Sequence, residues 1–87
     1  MYYIVDTYFY YIYDTQECAV SVLAMAKTKT EICKLAKQIK DDPDFERYFG
    51  YCHCVGIYKS DELVSPYRFK KMHINMSFDE ALKQIKN

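Results

Sequence analysis

The chain has 87 residues, with twelve basic and twelve acidic side chains and a formal net charge of zero at neutral pH. This length suits one domain with a modest core, and the balanced charge argues against binding held mainly by nonspecific phosphate contacts. Gly and Pro occur twice each, which argues against a disordered tail or a long flexible linker.

Tyrosine dominates the aromatic composition, with ten Tyr and no Trp. Tyr can bury its ring while its hydroxyl reaches a polar partner, so Tyr-rich surfaces suit binding faces, although aromatic residues also favour half-buried strand positions. The sequence shows no signal peptide and no apolar run near the roughly 20 residues that span a bilayer. We therefore expect a cytoplasmic protein with reduced thiols and no membrane partner.

Residues 2–13 have strand composition, being almost entirely Tyr, Phe, Ile, Val and Thr. They could form one twelve-residue strand, or two short strands that turn near Asp6–Phe9, which would be closer to typical strand lengths. Both faces of this segment are apolar or aromatic. We expect a helix to pack over it, because an uncovered segment of this kind aggregates.

Two helix start signals follow the N-terminal segment. Asp14 and Glu17 form a D-x-x-E signal, and Thr28 with Glu31 forms a T-x-x-E capping box. A second start signal makes sense only if an earlier helix has already ended. We therefore predict a first helix near residues 15–26.

The alternative is one unbroken helix, since the apolar residues also fit a single continuous stripe. Thr28 and Thr30 are poor residues for a helix interior, which favours the break. We predict a second helix near residues 29–41, ended by Pro43.

The C-terminal half predicts strands near residues 48–58 and 67–75. A third capping box, formed by Ser77 and Glu80, predicts a helix near residues 78–86. The expected fold is a single α+β domain over 1–87, with a small antiparallel sheet packed against helices.

The triplet Cys52-His53-Cys54 is the strongest candidate for a metal site. On a strand the two thiols point to one face and the imidazole to the other, so the triplet cannot chelate an ion as a unit. Burial of both strand thiols is the better interpretation. Cys18 and Cys33 are expected to be small core residues on helices. We therefore expect no metal site and no cofactor.

No residue set specifies a reaction. Nothing fixes a His base beside a thiol, and the sequence has neither a Gly-rich phosphate loop nor a G-x-S-x-G motif. We expect no catalytic residues and a non-enzymatic function.

Two surfaces are candidates for binding. An exposed second helix that carries Lys and Gln has the chemistry of major-groove docking, although such Lys residues also simply solvate an amphipathic helix. The candidate nucleic-acid-binding residues are Lys27, Lys29, Lys34, Lys37, Gln38, Arg68, Lys70 and Lys71. The candidate protein-binding residues are Tyr8, Tyr10, Tyr11 and Tyr13. The N-terminal strand could also pair with a second copy and form a homodimer.

Three short segments and one further residue carry a family resemblance: Tyr2–Asp6, Asp14–Ala19, Leu23–Met25 and Ile32. In these segments the chain resembles small phage-encoded proteins of Gram-positive hosts, which have a β-hairpin followed by a helix-turn-helix-like pair. The resemblance covers residues 1–59. Ala24 departs from it, because the family has Gly at that turn, and the spacing from Ala24 to Ile32 is longer than in a tight turn.

The resemblance implies a regulator that binds nucleic acid in the host cytosol. Small phage proteins of similar size and Tyr content also include inhibitors that occlude a host defence nuclease, as anti-CRISPR proteins do. Protein binding is therefore the alternative function, with a host nuclease or another host protein as the partner.

Overall fold

The protein is described here from a computed structural model, which describes residues 1–45, 53–61, 68–69 and 72–84. In chain order its elements are β1 (Tyr2–Ile12), β2 (Thr15–Ala26), α1 (Lys29–Asp41), β3 (His53–Lys59), β4 (Met76–Ser77) and α2 (Phe78–Lys83). The strands form one antiparallel sheet in the order β2-β1-β3-β4. The predicted α+β class is confirmed. No helix within the described ranges has the length and apolar character needed to cross a membrane.

A long hairpin forms the N-terminal third of the protein. β1 is one unbroken strand rather than two short ones, and it pairs with β2 from Tyr2 opposite Ala26 to Ile12 opposite Thr15. The two turn residues, Tyr13 and Asp14, both have positive φ, at 49° and 66°. Two consecutive residues with positive φ are the signature of a type I′ turn, whose twist matches that of the flanking strands.

The helix predicted near residues 15–26 is wrong, because these residues form β2. The signal at Asp14 marks the hairpin turn rather than a helix start, since Asp tolerates the left-handed backbone conformation. Pairing with β1 satisfies the backbone of the whole segment. Tertiary pairing therefore outweighs the local helix preference of its Ala, Leu and Met residues.

The helix predicted near residues 29–41 is confirmed as α1. Thr28 is its N-cap, and the Thr28 Oγ1 accepts a hydrogen bond from the Glu31 N–H at 3.1 Å. The helix ends at Asp41, two residues before Pro43. A strand precedes α1, so one unbroken helix through this region is also wrong.

The C-terminal half follows its prediction in part. Within the predicted strand near 48–58, β3 covers His53–Lys59, and residues 48–52 lie outside the described residues. The strand predicted near 67–75 is wrong where the chain is described. Arg68 and Phe69 form a 3₁₀ turn and residues 72–75 are irregular, because Phe69 packs on a face of the sheet instead of extending its edge.

The last two elements are short. The only strand in the described part of this region is the two-residue β4. The helix predicted near 78–86 is confirmed as α2, with both hydrogen bonds of the Ser77–Glu80 capping box present. It ends at Lys83, and residues 85–87 lie outside the described part.

Each face of the sheet carries its own core. The two helices cover one face, where the fully buried residues are Ile4, Ile32, Ala36, Ile57 and Ala81. On the other face Phe69 packs edge-on against the rings of Tyr3 and Tyr58, with both centroid distances at 5.2 Å. The described residues of both cores lie toward the open end of the hairpin, and none of them lies at its turn end.

Candidate functional site

The turn end of the hairpin, residues 8–19, is called the hairpin tip below. Among the described residues, β1 pairs with β3 from Tyr2 to Tyr8, and no described strand pairs with Phe9–Ile12 on that side. Its large exposed side chains are Tyr8 (40 % exposed), Phe9 (37 %), Tyr11 (71 %), Ile12 (48 %) and Tyr13 (97 %). Exposed apolar clusters of this kind mark interaction sites, and Tyr is among the residues that dominate binding energy at interfaces.

All four tyrosines predicted to bind a protein lie in the hairpin tip, on more than one side of it. Tyr8 and Tyr10 share the helix-bearing face, and their rings stack with centroids 5.8 Å apart. Tyr11 lies on the opposite face, because successive strand residues alternate. Tyr13 stands at the turn itself. The structure therefore brings together Tyr8 and Tyr10, while the other two present separate rings.

Tyr13 combines full exposure with an unfavourable backbone conformation. Its φ of 49° lies in the left-handed region, which costs a residue with a Cβ about 1–2 kcal/mol. Asn-Gly and Asp-Gly are the favoured sequences at such turns. The ring is 97 % exposed, so intramolecular packing does not offset this cost. Backbone strain that is not offset by packing is typical of a residue with a functional role.

A buried carboxylate lies at the base of the tip. Asp6 is 8 % exposed, and its Oδ2 lies 2.7 Å from the Nδ1 of His53 in β3. The His53 ring in turn contacts Tyr8, with centroids 4.8 Å apart. This pair therefore holds the His53 ring beside Tyr8, its cross-strand neighbour. The Asp6 Oδ1 is buried and has no hydrogen-bond partner among the described residues.

Sequence reasoning missed the Asp6–His53 pair. The two residues are 47 positions apart and meet only through the register of β1 and β3. The available signal was an acidic residue in the middle of an apolar strand, which requires a partner when it faces a core. Asp6 orients the His53 imidazole, as in a catalytic pair. The Cys54 thiol lies on the opposite face of β3, so Cys54 supplies no nucleophile beside His53.

A cleft of about 220 Å³ lies on the other face of the sheet, lined by Thr7, Phe9, Cys18, Cys54, Tyr58, Phe69 and Met72. Cys18 in β2 and Cys54 in β3 flank β1, opposite Phe9 and Thr7 respectively, so two strand spacings and a two-residue offset place their Cα atoms about 12 Å apart. This separation exceeds the roughly 7 Å limit for a disulfide. Nowhere in the described ranges do three or more His, Cys, Asp or Glu residues group closely enough to hold a metal ion.

Two of the predictions for the thiols are wrong. Cys18 lies on a strand rather than on a helix, and Cys54 is exposed rather than buried. Cys33 is buried in α1 as expected. Desolvation raises the pKa of its thiol above the ordinary value, an effect that Lys29 partly opposes. Cys52 lies outside the described residues.

The candidate nucleic-acid-binding residues do not form one surface. Lys27, Lys29, Lys34 and Gln38 are exposed on or next to α1, and Lys37 is half-buried there. Arg68 belongs to the segment that covers the opposite face of the sheet, and Lys70 and Lys71 lie outside the described residues. The first helix of the expected pair is a strand, so the described residues contain no helix-turn-helix.

Two of these basic residues line the same cleft. Lys29 and Lys34 line a second cleft of about 220 Å³, together with Thr30, Cys33 and Gln84.

Self-pairing through the N-terminal strand is wrong for Tyr2–Tyr8, because β2 and β3 occupy both edges of β1 there. The outer strand of the sheet on that side is β2 instead. Its only charged residue is Glu17. Val22 pairs with Val5 and Ala24 with Ile4, which leaves Leu23 as the extra residue of a β-bulge. A bulge and a charged residue usually protect an edge strand from pairing with other chains.

Comparisons with protein-family models, with curated proteins and with solved structures found no match to this chain.

Proposed function

We propose that this chain is a non-enzymatic protein-binding module that occludes a surface of its partner with the hairpin tip. The exposure of Tyr13 in a strained turn conformation is the observation that carries the proposal. By analogy with small phage inhibitors of similar size and Tyr content, we propose a host protein, such as a defence nuclease, as the partner.

The continuous strand pairing of the tip supports this function. A two-residue turn joins two strands that pair continuously from the body to Ile12 and Thr15. The backbone that carries the exposed rings is therefore ordered before binding, which lowers the conformational entropy lost in a complex. Tyr also has few rotatable bonds for its contact area.

The test is the substitution Tyr13→Asn. Asn tolerates positive φ, so the variant should fold at least as stably as the parent. It lacks the ring, so affinity for the partner should fall about tenfold or more, as at an interface hot spot. Tagged parent and variant are compared on nuclease-treated host lysate by quantitative mass spectrometry, and the protein lost by the variant is then titrated in purified form.

The matched control is Ile74→Asn. It also replaces an exposed apolar side chain with Asn, since Ile74 is 47 % exposed, but at a site away from the hairpin tip. The control should retain the partner. Equal affinity of the parent and Tyr13→Asn for every captured protein would contradict the proposal.

A second candidate function is nucleic-acid binding by α1 alone. It is favoured by the cleft at the start of this helix, where Lys29 and Lys34 lie together in a place suited to a phosphate. Mobility-shift titration at two salt concentrations tests it, because phosphate contacts weaken steeply with salt. Binding that is absent at low salt, or unchanged in Lys34→Glu, would refute this candidate.

A further inference from the structure

The charges of this neutral chain are divided between two regions. Before Lys27 the sequence has no Lys or Arg, and its only acidic side chains are Asp6, Asp14 and Glu17. Asp6 is buried against His53, whereas Asp14 and Glu17 are exposed in the hairpin tip. The exposed charge of the tip is therefore entirely negative.

One of these carboxylates stands beside the aromatic stack. Glu17 is the direct cross-strand partner of Tyr10, so both side chains point to the same face, with Cβ atoms about 5 Å apart. Tyr10 stacks on Tyr8, with ring planes 22° from parallel. This face of the tip therefore presents a pair of stacked aromatic rings, called the platform below, with an exposed carboxylate at its side.

We infer that this platform receives an arginine side chain of the protein partner, an inference that rests on the proposed function. A guanidinium is planar and always charged, so it can lie on the Tyr8–Tyr10 stack while it donates hydrogen bonds to Glu17. A lysine could pair with the charge of Glu17, but it has no planar group that could stack on the rings. An apolar partner would desolvate Glu17 without compensation, and an acidic one would be repelled.

The probe is a synthetic nona-arginine peptide, titrated by calorimetry at low ionic strength against the full chain, with nona-lysine for comparison. The arginine peptide should bind more tightly than the lysine peptide. Glu17→Gln should weaken arginine binding about threefold or more, the size expected for an exposed charge pair assisted by cation–π stacking. The control Glu31→Gln, which neutralises an exposed carboxylate on α1, should leave it unchanged.

Two substitutions at Tyr10 distinguish the contribution of its ring from that of its hydroxyl. Tyr10→Leu should abolish the preference for arginine over lysine, whereas Tyr10→Phe keeps the ring and should retain that preference. Thermal unfolding of each variant verifies the fold. If Tyr10→Leu does not fold, the comparison of the parent with Glu17→Gln still decides the inference.

Three outcomes separate the inference from the proposed function. If nona-arginine does not bind, or binds Glu17→Gln equally, the inference is overturned, while loss of the partner by Tyr13→Asn still supports the proposed function. If Tyr13→Asn keeps its partner but Glu17→Gln loses the peptide, the proposed function fails and the cation site stands. If sedimentation shows association that Glu17→Gln abolishes, the basic α1 of a second copy occupies the platform, which overturns the inference.

Discussion

The Asp6–His53 pair makes a sharp prediction about stability. Replacing His53 with Leu leaves the Asp6 carboxylate buried with neither oxygen hydrogen-bonded by a described residue, since Oδ1 already lacks a partner. Replacing both residues, in the variant Asp6→Val with His53→Leu, removes the buried charge together with its partner. The two variants lose the same hydrogen bond, so their difference isolates the cost of the orphaned carboxylate.

Breaking a buried pair by removing one partner costs about 3–5 kcal/mol. The side chains of His53 and Asp6 are 22 % and 10 % exposed, so water can reach the carboxylate in part. We therefore expect the free energy of unfolding of His53→Leu to fall by about 2–3 kcal/mol. The double variant should lie within about 1 kcal/mol of the parent, because replacing both partners with apolar groups is nearly neutral.

Urea denaturation at neutral pH measures both values, with an unchanged slope as evidence that the unfolding transition is comparable. Stability lost equally in the single and double variants would refute the reasoning. That result would mean that packing of the imidazole against Tyr8, rather than its pairing with Asp6, is what stabilises this region.

The remaining predictions concern local features. Thr28→Ala removes the N-cap of α1 and should lower the free energy of unfolding by about 1 kcal/mol in urea denaturation. The control Thr30→Ala, two residues later in the first turn of α1, should not lower it. Iodoacetamide at pH 8 should modify Cys54 much faster than Cys33 in the folded protein, because burial raises the pKa of Cys33. Mass spectrometry of the two cysteine-containing peptides measures the modification rates, and equal rates would contradict this prediction. Burial also raises the pKa of the Tyr58 hydroxyl above its ordinary value. The unfolded chain therefore loses this proton at a lower pH than the folded chain, so the free energy of unfolding should fall as pH rises from the ordinary pKa of Tyr through the raised one, as alkaline thermal melts would show.

The sequence predicts the elements whose signals are local. The boundaries of α1 follow from Thr28 and Pro43, which act within a few residues of the helix ends. The same holds for the start of α2 at Ser77. The dense aromatic composition before Asp14 also indicates the tyrosines of the hairpin tip.

Features that depend on pairing could not be read in this way. The turn at Tyr13 and Asp14 lacks Asn or Gly at the first position and Gly at the second, so nothing local indicated a hairpin there. Without the hairpin, the Ala, Leu and Met residues of β2 resembled a helix. The Asp6–His53 pair and the Glu17–Tyr10 neighbours both require the strand registers, which local patterns do not determine.

The internal position of β1 has a consequence for synthesis of the protein. The β1–β2 hairpin can close within microseconds once both strands have left the ribosome. The edge of β1 that β3 covers must wait for His53–Lys59, which follow after a delay on the order of seconds at normal elongation rates. During that interval an aromatic strand is exposed along one edge to other nascent chains. Slower translation of residues 27–52 would lengthen the interval and lower the soluble yield.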